Sequence, residues 1–211
     1  MSKRLGKRKY LTLNSPDAIK YAVSPGAGLI RPATQRPSPN QDERPQGSEP
    51  ELIIIHGISL PPGEYGGPHI EALFNNGLDW KSHPYFREIE GLRVSSHLLI
   101  RRAGELIQFV PFARRAWHAG ESGFRGRDCC NDYSIGVELE GSDDVLYTDA
   151  QYAQLTSVIH AIMDSYPKIS ARQIAGHCDV SPGRKTDPGP AFDWLRLYDG
   201  LATDTDIPGN P

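Results

Sequence analysis

The sequence predicts a single α/β domain in which helices flank a central mixed β-sheet. Short apolar runs typical of strands interleave along the chain with segments of helical periodicity. The length of 211 residues suits one domain with a sizeable core, and no internal repeat indicates a solenoid or propeller.

Charge and hydropathy exclude several classes of partner. A net charge of −3 argues against nucleic acid, and no run of 18 apolar residues encodes a membrane span. The basic start of the chain lacks the apolar block of a secretory signal. Three cysteines, two of them adjacent, form no disulfide framework. We therefore expect a cytoplasmic monomer without membrane or nucleic-acid partners.

Composition divides the chain into three parts. Residues 1–27 are predicted to be a flexible basic extension, residues 28–200 the domain, and residues 201–211 a C-terminal tail. Up to about residue 50 the chain is rich in proline, glycine, serine and charge, which predicts extended or disordered chain with little contribution to the core. The five basic residues among the first ten either keep the chain soluble or contact an acidic partner.

Regular structure is predicted to begin at residues 51–57, a β-branched run typical of a buried central strand. A loop dense in glycine and proline follows, and then a short helix at residues 69–76. Residues 93–112 predict two strands joined by a tight turn at Ala103–Gly104. A further strand at residues 133–141 turns its apolar side chains to one face.

Two helices are predicted in the second half of the chain. Apolar residues recur every three or four positions over residues 148–167, and Thr148 and Gln151 have the spacing of a capping box. Residues 190–200 predict the last helix, with Pro190 near its first turn.

A loop at residues 176–194 concentrates titratable side chains among glycines and prolines that disfavour regular structure. His177 precedes most of these glycines and prolines, and Asp187 lies among them. His56 lies at the end of the predicted central strand. Each residue alone is a weak indication, and a hydrogen-bonded structural histidine is the alternative for His56. Together, two imidazoles and a carboxylate are the ligand types of a catalytic zinc site with an open fourth position.

Six stretches of the sequence also carry a resemblance to a known family. They read IIIHGISLPPGEYGGPHIEALF, HPYF, LRVSSHLLIRRAGELIQFVPFARRAWHAG, CNDYSIGVELEG, YTDAQY and GHCDVSPGRKTDPGPAFDW. These stretches resemble the AmpD-type 1,6-anhydro-N-acetylmuramoyl-L-alanine amidases, within the larger zinc amidase and peptidoglycan-recognition superfamily. The similarity covers roughly residues 28–198 without large gaps, so it is far more specific than a three-residue signature.

The resemblance assigns roles to residues of the site. It implies a zinc ion held by His56, His177 and Asp187. Strand alternation puts Glu138 and Glu140 on the same face and does not choose between them. The resemblance selects Glu138 as the general base beside the reacting water, and it makes Lys185 a cation beside the scissile carbonyl.

The resemblance further implies a cleft for a small muropeptide substrate. Trp117 and His118 are predicted to form part of its wall. Arg93 and Arg127 are predicted to bind carboxylates of the stem peptide, since guanidinium groups pair bidentately with carboxylates.

Four residues qualify this picture. Gly57 stands where the family commonly has asparagine. Cys129 replaces a basic residue that often contacts the peptide, which puts part of the peptide-binding set in question. Asp179 is a second carboxylate of the loop at residues 176–194, here called the ligand loop, but it is better suited to capping a turn. Cys178 follows His177 directly and would point away from the site on an extended chain.

We therefore predict hydrolysis of the amide between (1,6-anhydro-)N-acetylmuramic acid and L-alanine in recycled cell-wall fragments. One alternative is a recognition module that binds muropeptides without cutting them, although such relatives typically lose a zinc ligand and all three are present. The other is an amidase acting on intact peptidoglycan, which would need an export signal.

Overall fold

A computed structural model of the chain describes residues 19–202, and a six-stranded sheet forms its centre. In chain order the strands are Ala22–Val23 (β1), Ile30–Arg31 (β2), Thr34–Gln35 (β3), Gln41–Glu43 (β4), Leu52–Ile58 (β5), Leu98–Ile100 (β6), Leu106–Gln108 (β7), Arg114–Ala116 (β8), Gly123–Phe124 (β9), Arg127–Asp128 (β10), Ser134–Glu140 (β11) and Ile174–Gly176 (β12). The central sheet has the order β12-β5-β11-β6-β7-β3.

The sheet is mixed, which confirms the fold class predicted from the sequence. Strands β12, β5, β11 and β6 are parallel neighbours, whereas β7 runs antiparallel to β6 and parallel to β3. The predicted turn between β6 and β7 is present, where the Gly104 N–H donates to the Arg101 carbonyl at 2.8 Å.

Helices cover the sheet. In chain order they are His69–Phe74 (α1), Pro84–Glu88 (α2), Asp149–Ser165 (α3), His177–Val180 (α4) and Trp194–Leu201 (α5), with 3₁₀ turns at Cys130–Asp132 and Ala171–Gln173. The predicted capping box of α3 is confirmed, since the Thr148 hydroxyl accepts from the Gln151 N–H and the Gln151 side chain accepts from the Thr148 N–H. Among residues 19–202, no helix has the length and apolar content needed to cross a membrane.

Alternation along the central strands separates a core face from a site face. Ile53 and Ile55 of β5, with Ile135 and Val137 of β11, pack in the cluster that includes the buried side of α3 and α5. The alternate residues of the two strands face the opposite side of the sheet, and His56 and Glu138 are among these.

Two predictions about local structure were wrong. The last helix begins at Trp194 rather than near Pro190, because the Asp193 carboxylate caps it by accepting the Arg196 N–H at 3.0 Å. Helix α4 lies inside the segment predicted to be a loop without regular structure, because its four residues precede the first proline.

The prediction that residues before about 50 add little to the core was also wrong. Ile30 is fully buried in the main cluster, and its N–H donates to the Gln108 side chain at 2.9 Å. Buried Arg44 donates to the carbonyls of Phe112 and Ser134. Strands of two or three residues, held by such side-chain contacts, have no apolar periodicity that a sequence pattern can reveal.

Order also begins before the predicted domain boundary at residue 28. Strand β1 pairs with β2, the Tyr21 hydroxyl donates to Gln154 of α3 at 3.1 Å, and Val23 packs against the main core. We therefore propose a domain boundary near Tyr21. Residues 1–18 of the predicted extension, and residues 203–211 of the predicted tail, lie outside the described part of the chain.

Two truncations test this boundary. Removing residues 1–23 is expected to give a lower Tm than removing residues 1–18, because only the longer deletion takes away Tyr21 and Val23. Partial burial of two such side chains is worth about 1–3 kcal/mol, which corresponds to a fall of about 2–12 °C for a chain of this length. Calorimetry of the two forms measures the difference, and equal Tm values would contradict the assignment of β1 to the folded domain.

Candidate active site

Two adjacent parallel strands place the first pair of functional side chains. In the register of β5 and β11, His56 lies directly opposite Glu138. Both side chains face the side of the sheet away from α3 and α5, and both are buried. The Glu138 Oε1 lies 3.9 Å from the His56 Nδ1. Backbone hydrogen bonds of the sheet thus hold the candidate base beside the candidate ligand.

The ligand loop supplies the other two candidates. His177 begins α4 directly after β12, the edge strand next to β5. The Cys178 N–H donates to the Asp187 carbonyl at 2.9 Å, which closes the loop and brings Asp187 back beside His177. The proline- and glycine-rich stretch therefore lets one loop contribute two side chains to a single point.

Three donor atoms converge at that point. The His56 Nδ1 lies 3.0 Å from the His177 Nδ1 and 3.3 Å from the Asp187 Oδ2, and the latter two atoms are 3.1 Å apart. A tetrahedral zinc ion with ligands at 2.0–2.1 Å separates them by about 3.3–3.4 Å. The three residues thus form a group that can hold a metal ion, and they are the three that the sequence indicated.

The outer contacts of the two imidazoles suit this use. The His177 Nε2 lies 3.2 Å from the Ala119 carbonyl, which only accepts, so Nε2 carries the proton and Nδ1 presents a lone pair. That lone pair faces the Asp187 carboxylate, a second acceptor. A proton or a metal ion between two acceptors 3.1 Å apart would satisfy both, so the residues present fit a metal ion.

Burial and charge set the protonation of the site. Burial lowers the pKa of His56 to about 4, although the nearby Asp187 carboxylate acts to raise it. Burial tends to raise the pKa of Asp187, but its close contacts with His177 and His56 outweigh it and hold that pKa well below its usual range. At neutral pH the group therefore combines an uncharged His56 with a carboxylate, the protonation states that metal ligation requires.

Glu138 and Glu140 have different surroundings. Among residues 19–202, no side chain or backbone group forms a hydrogen bond with the Glu138 carboxylate. Burial, together with the charge of Asp187, raises its pKa. Glu140 is buried too, but its carboxylate accepts from Arg101 at 3.0 Å and from the Gly66 N–H at 2.7 Å. Glu138 is thus free to exchange a proton, whereas the hydrogen bonds that Glu140 accepts give it a structural role.

The remaining charged residues of the loop lie around the group. Lys185 is exposed, and its charge acts to lower the pKa of Glu138. The Asp179 carboxylate accepts the Gly176 N–H at 2.7 Å, the turn-capping role expected for it. Cys178 lies outside the converging group, with its sulfur 3.9 Å from an Asp179 oxygen.

The predicted substrate residues are in four different environments. Arg93 is exposed, and Trp117 is half-buried with an indole Nε1 that makes no hydrogen bond within residues 19–202. Arg127 pairs with Glu51 at 2.9 Å and stacks over Tyr133. His118 is not part of an open wall, because it is buried and both ring nitrogens contact protein atoms.

The contacts of His118 are with the site itself. Its Nδ1 lies 2.9 Å from the His56 Nε2, and its Nε2 lies 3.2 Å from the Ser134 hydroxyl. Sequence reasoning missed this contact because it joins residues 62 positions apart. The one local signal is Gly136, where a Cβ atom would lie 2.6 Å from the His118 ring.

Tyr147 is a second residue that sequence reasoning missed. Its buried hydroxyl donates to the Pro188 carbonyl at 3.0 Å, next to Asp187. Gly57 makes this possible, because a Cβ at that position would collide with the Tyr147 hydroxyl. The absence of a side chain at Gly57 thus leaves room for the Tyr147 hydroxyl, which supports the ligand loop through Pro188.

A double-mutant cycle tests this pairing of Gly57 with Tyr147. Gly57→Ala is expected to destabilise the fold by about 1–3 kcal/mol through overpacking, and Tyr147→Phe by about 1 kcal/mol through loss of the hydrogen bond. The double variant should lose less than the sum, since phenylalanine removes the colliding oxygen. Urea unfolding of all four proteins measures the coupling, and strictly additive losses would refute the contact.

Both the sequence and the fold match known proteins over most of the chain. The family model for N-acetylmuramoyl-L-alanine amidase matches residues 46–190. The 1,6-anhydro-N-acetylmuramyl-L-alanine amidase AmpD of Escherichia coli (strain K12) is 58% identical over 170 residues, which are 81% of this chain and 92% of that protein. A crystal structure of a selenomethionine AmpD derivative superposes with a TM-score of 0.81 at 54% identity and covers 83% of this chain and 98% of its own.

A more distant structure contains a ligand. AmpDh3 of Pseudomonas aeruginosa, crystallised with an anhydromuramic pentapeptide, has a TM-score of 0.54 at 26% identity, and the match covers 74% of this chain and 61% of that one.

Proposed function

Because the chain belongs to the N-acetylmuramoyl-L-alanine amidase family, we propose a zinc-dependent mechanism for its activity at the site formed by His56, His177 and Asp187. The protein is an amidase that acts on 1,6-anhydro-muramyl-L-alanine substrates in cell-wall recycling. The observation that supports the site best is the convergence of three ligand atoms within 3.3 Å beside the buried Glu138 carboxylate.

The chemistry divides between the metal and two side chains. Zinc in such a site supplies Lewis acidity, which makes a water molecule reactive at neutral pH. Glu138 accepts the proton of the attacking water and then donates it to the nitrogen of the leaving alanine. Lys185 stabilises the negative charge that develops on the carbonyl oxygen. The raised pKa of Glu138 supports both halves of the proton transfer, because the group can hold a proton between the two steps.

The substrate is a small muropeptide, and we propose that Arg93 and Trp117 contact it. Arg93 is an exposed cation suited to a stem-peptide carboxylate. The Trp117 Nε1 is a buried donor for which no protein acceptor is present among residues 19–202. Arg127 is engaged with Glu51, and therefore binds a carboxylate only if that pair opens.

We further propose that the protein acts in the cytoplasm as a monomer. Cys129, Cys130 and Cys178 are all free thiols, as expected in a reducing compartment. Cell fractionation and light scattering of the purified chain test the two statements separately.

Product analysis tests the substrate. Mass spectrometry after incubation with an anhydro-muramyl tripeptide should show the anhydro sugar and a free peptide that begins with L-alanine. Incubation with intact sacculi should release little peptide by comparison. Cleavage of sacculi at an equal rate would favour an enzyme of the intact wall, and binding without cleavage would favour a recognition module.

A further inference from the structure

A chain of buried hydrogen bonds leads away from the candidate metal group. The His56 Nε2 contacts the His118 Nδ1 at 2.9 Å, and the His118 Nε2 contacts the Ser134 hydroxyl at 3.2 Å. All three residues are buried, so water does not compete readily for these contacts. The outermost member, Ser134, can either donate or accept.

The His118 ring is fixed in this position from two sides. The Asn131 side-chain oxygen accepts the N–H groups of both His118 and Ala119, at 3.2 and 2.8 Å. Gly136 leaves the space that the ring occupies, because its Cβ would lie 2.6 Å from the His118 Cγ and Nδ1. The backbone and the sheet therefore present His118 to His56 in one orientation.

The two metal-facing histidines differ in how their tautomers are set. A backbone carbonyl, which only accepts, fixes the proton of His177 on Nε2. The partner of His56 is another imidazole, which can accept or donate at the contacting nitrogen. Were His118 to donate, the proton of neutral His56 would lie on Nδ1 and would block the atom that faces the metal.

We propose that His118 is a positioning residue that accepts the Nε2–H of His56 and so keeps the His56 Nδ1 free to bind the metal. Its own Nε2–H then donates to the Ser134 hydroxyl. This inference rests on the proposed metal site. It assigns His118 a role in metal affinity and not in the cleft wall, and it needs no contact between His118 and substrate.

Three substitutions of His118 test whether zinc binding depends on the hydrogen-bond acceptor at Nδ1 or on the imidazole ring as a whole. His118→Asn places an amide oxygen close to where the Nδ1 lies, so zinc affinity is expected to remain close to that of the parent. His118→Leu removes the acceptor and His118→Gln displaces it by one bond. Both are expected to weaken zinc binding by about 10- to 100-fold, the usual effect of losing an outer partner of a metal-binding histidine.

Zinc affinity is measured by competition with a chromophoric chelator, and the visible spectrum of the Co²⁺-loaded protein reports the ligand geometry without any assay of activity. Thermal unfolding of each metal-free variant shows whether it folds. If His118→Leu does not fold, the comparison of His118→Asn with His118→Gln still decides the question.

The outcomes are distinct. Affinity retained in His118→Asn and lost in His118→Gln or His118→Leu, with an altered Co²⁺ spectrum, supports the proposal. Equal affinity in all variants, or equal loss in all, overturns it, because the acceptor then makes no difference. A parent protein that binds no zinc overturns the proposed metal site itself.

Discussion

Asp187→Ala is expected to abolish both metal binding and turnover. The carboxylate is the one negatively charged member of the converging group, and its oxygen lies 3.1 Å and 3.3 Å from the two imidazole nitrogens. Two neutral histidines alone retain zinc poorly. Since a catalytic metal ion typically contributes several kcal/mol to a reaction, and each 1.36 kcal/mol is a factor of ten, turnover should fall by about 10³-fold or more.

Metal content of the purified variant, measured by mass spectrometry, is the first readout for Asp187→Ala, and turnover is the second. Asp179→Ala is the matched control, because that carboxylate belongs to the same loop but accepts the Gly176 N–H. The control should keep its zinc. Stoichiometric zinc in Asp187→Ala would mean that Asp187 is not a ligand, and Asp179 and Cys178 would then be tested in its place.

Glu138→Gln is expected to lower turnover by about 10²- to 10⁴-fold, the range for losing a general base. Glutamine keeps the size of the side chain but cannot accept the proton of water. The metal content should be unchanged, because the Glu138 Oε1 lies 3.9 Å from the His56 Nδ1 and outside the converging group. The Tm should stay equal or rise, since burial disfavours the charged form of Glu138.

Glu140→Gln is the matched control, two residues along the same face of β11. Its carboxylate receives hydrogen bonds from Arg101 and from the N–H groups of Gly66 and Arg102. Losing that charge should cost about 1.5–3 kcal/mol of stability, while turnover of the folded protein changes little. Our assignment of the base fails if the two variants lose activity equally, or if Glu138→Gln keeps nearly the full rate.

The elements that could be predicted are those whose formation depends on residues close together in the sequence. Strand β5 is buried on both faces and reads as a continuous apolar run, and α3 carries both an amphipathic period and its own cap. The segment before β5 gave no such signal, since Ile30 and Arg44 are buried through contacts with residues far along the chain. The composition of a segment indicates whether it can form regular structure by itself, but not which distant residues it packs against.

The same distinction applies to the candidate site, where some residues could be predicted from the sequence and others depend on distant contacts. His56, His177 and Asp187 stood out by residue type and by their places at the ends of strands and in a loop. The contact of His118 with His56 depends on the placement of a glycine and an asparagine in other elements. The structural role of Glu140 depends on its hydrogen bond with Arg101, 39 positions away. Neither contact has a sequence period, and so neither was predictable.

The pairing of His56 with Glu138 across β5 and β11 has a consequence for engineering. Two residues on neighbouring strands in register move together, so their separation is as stiff as the sheet itself. Arg93 and Cys129, by contrast, are exposed and lie outside these two strands. A library that randomises those two positions can therefore search for new peptide preferences while the spacing between the proposed base and the proposed ligand stays constant.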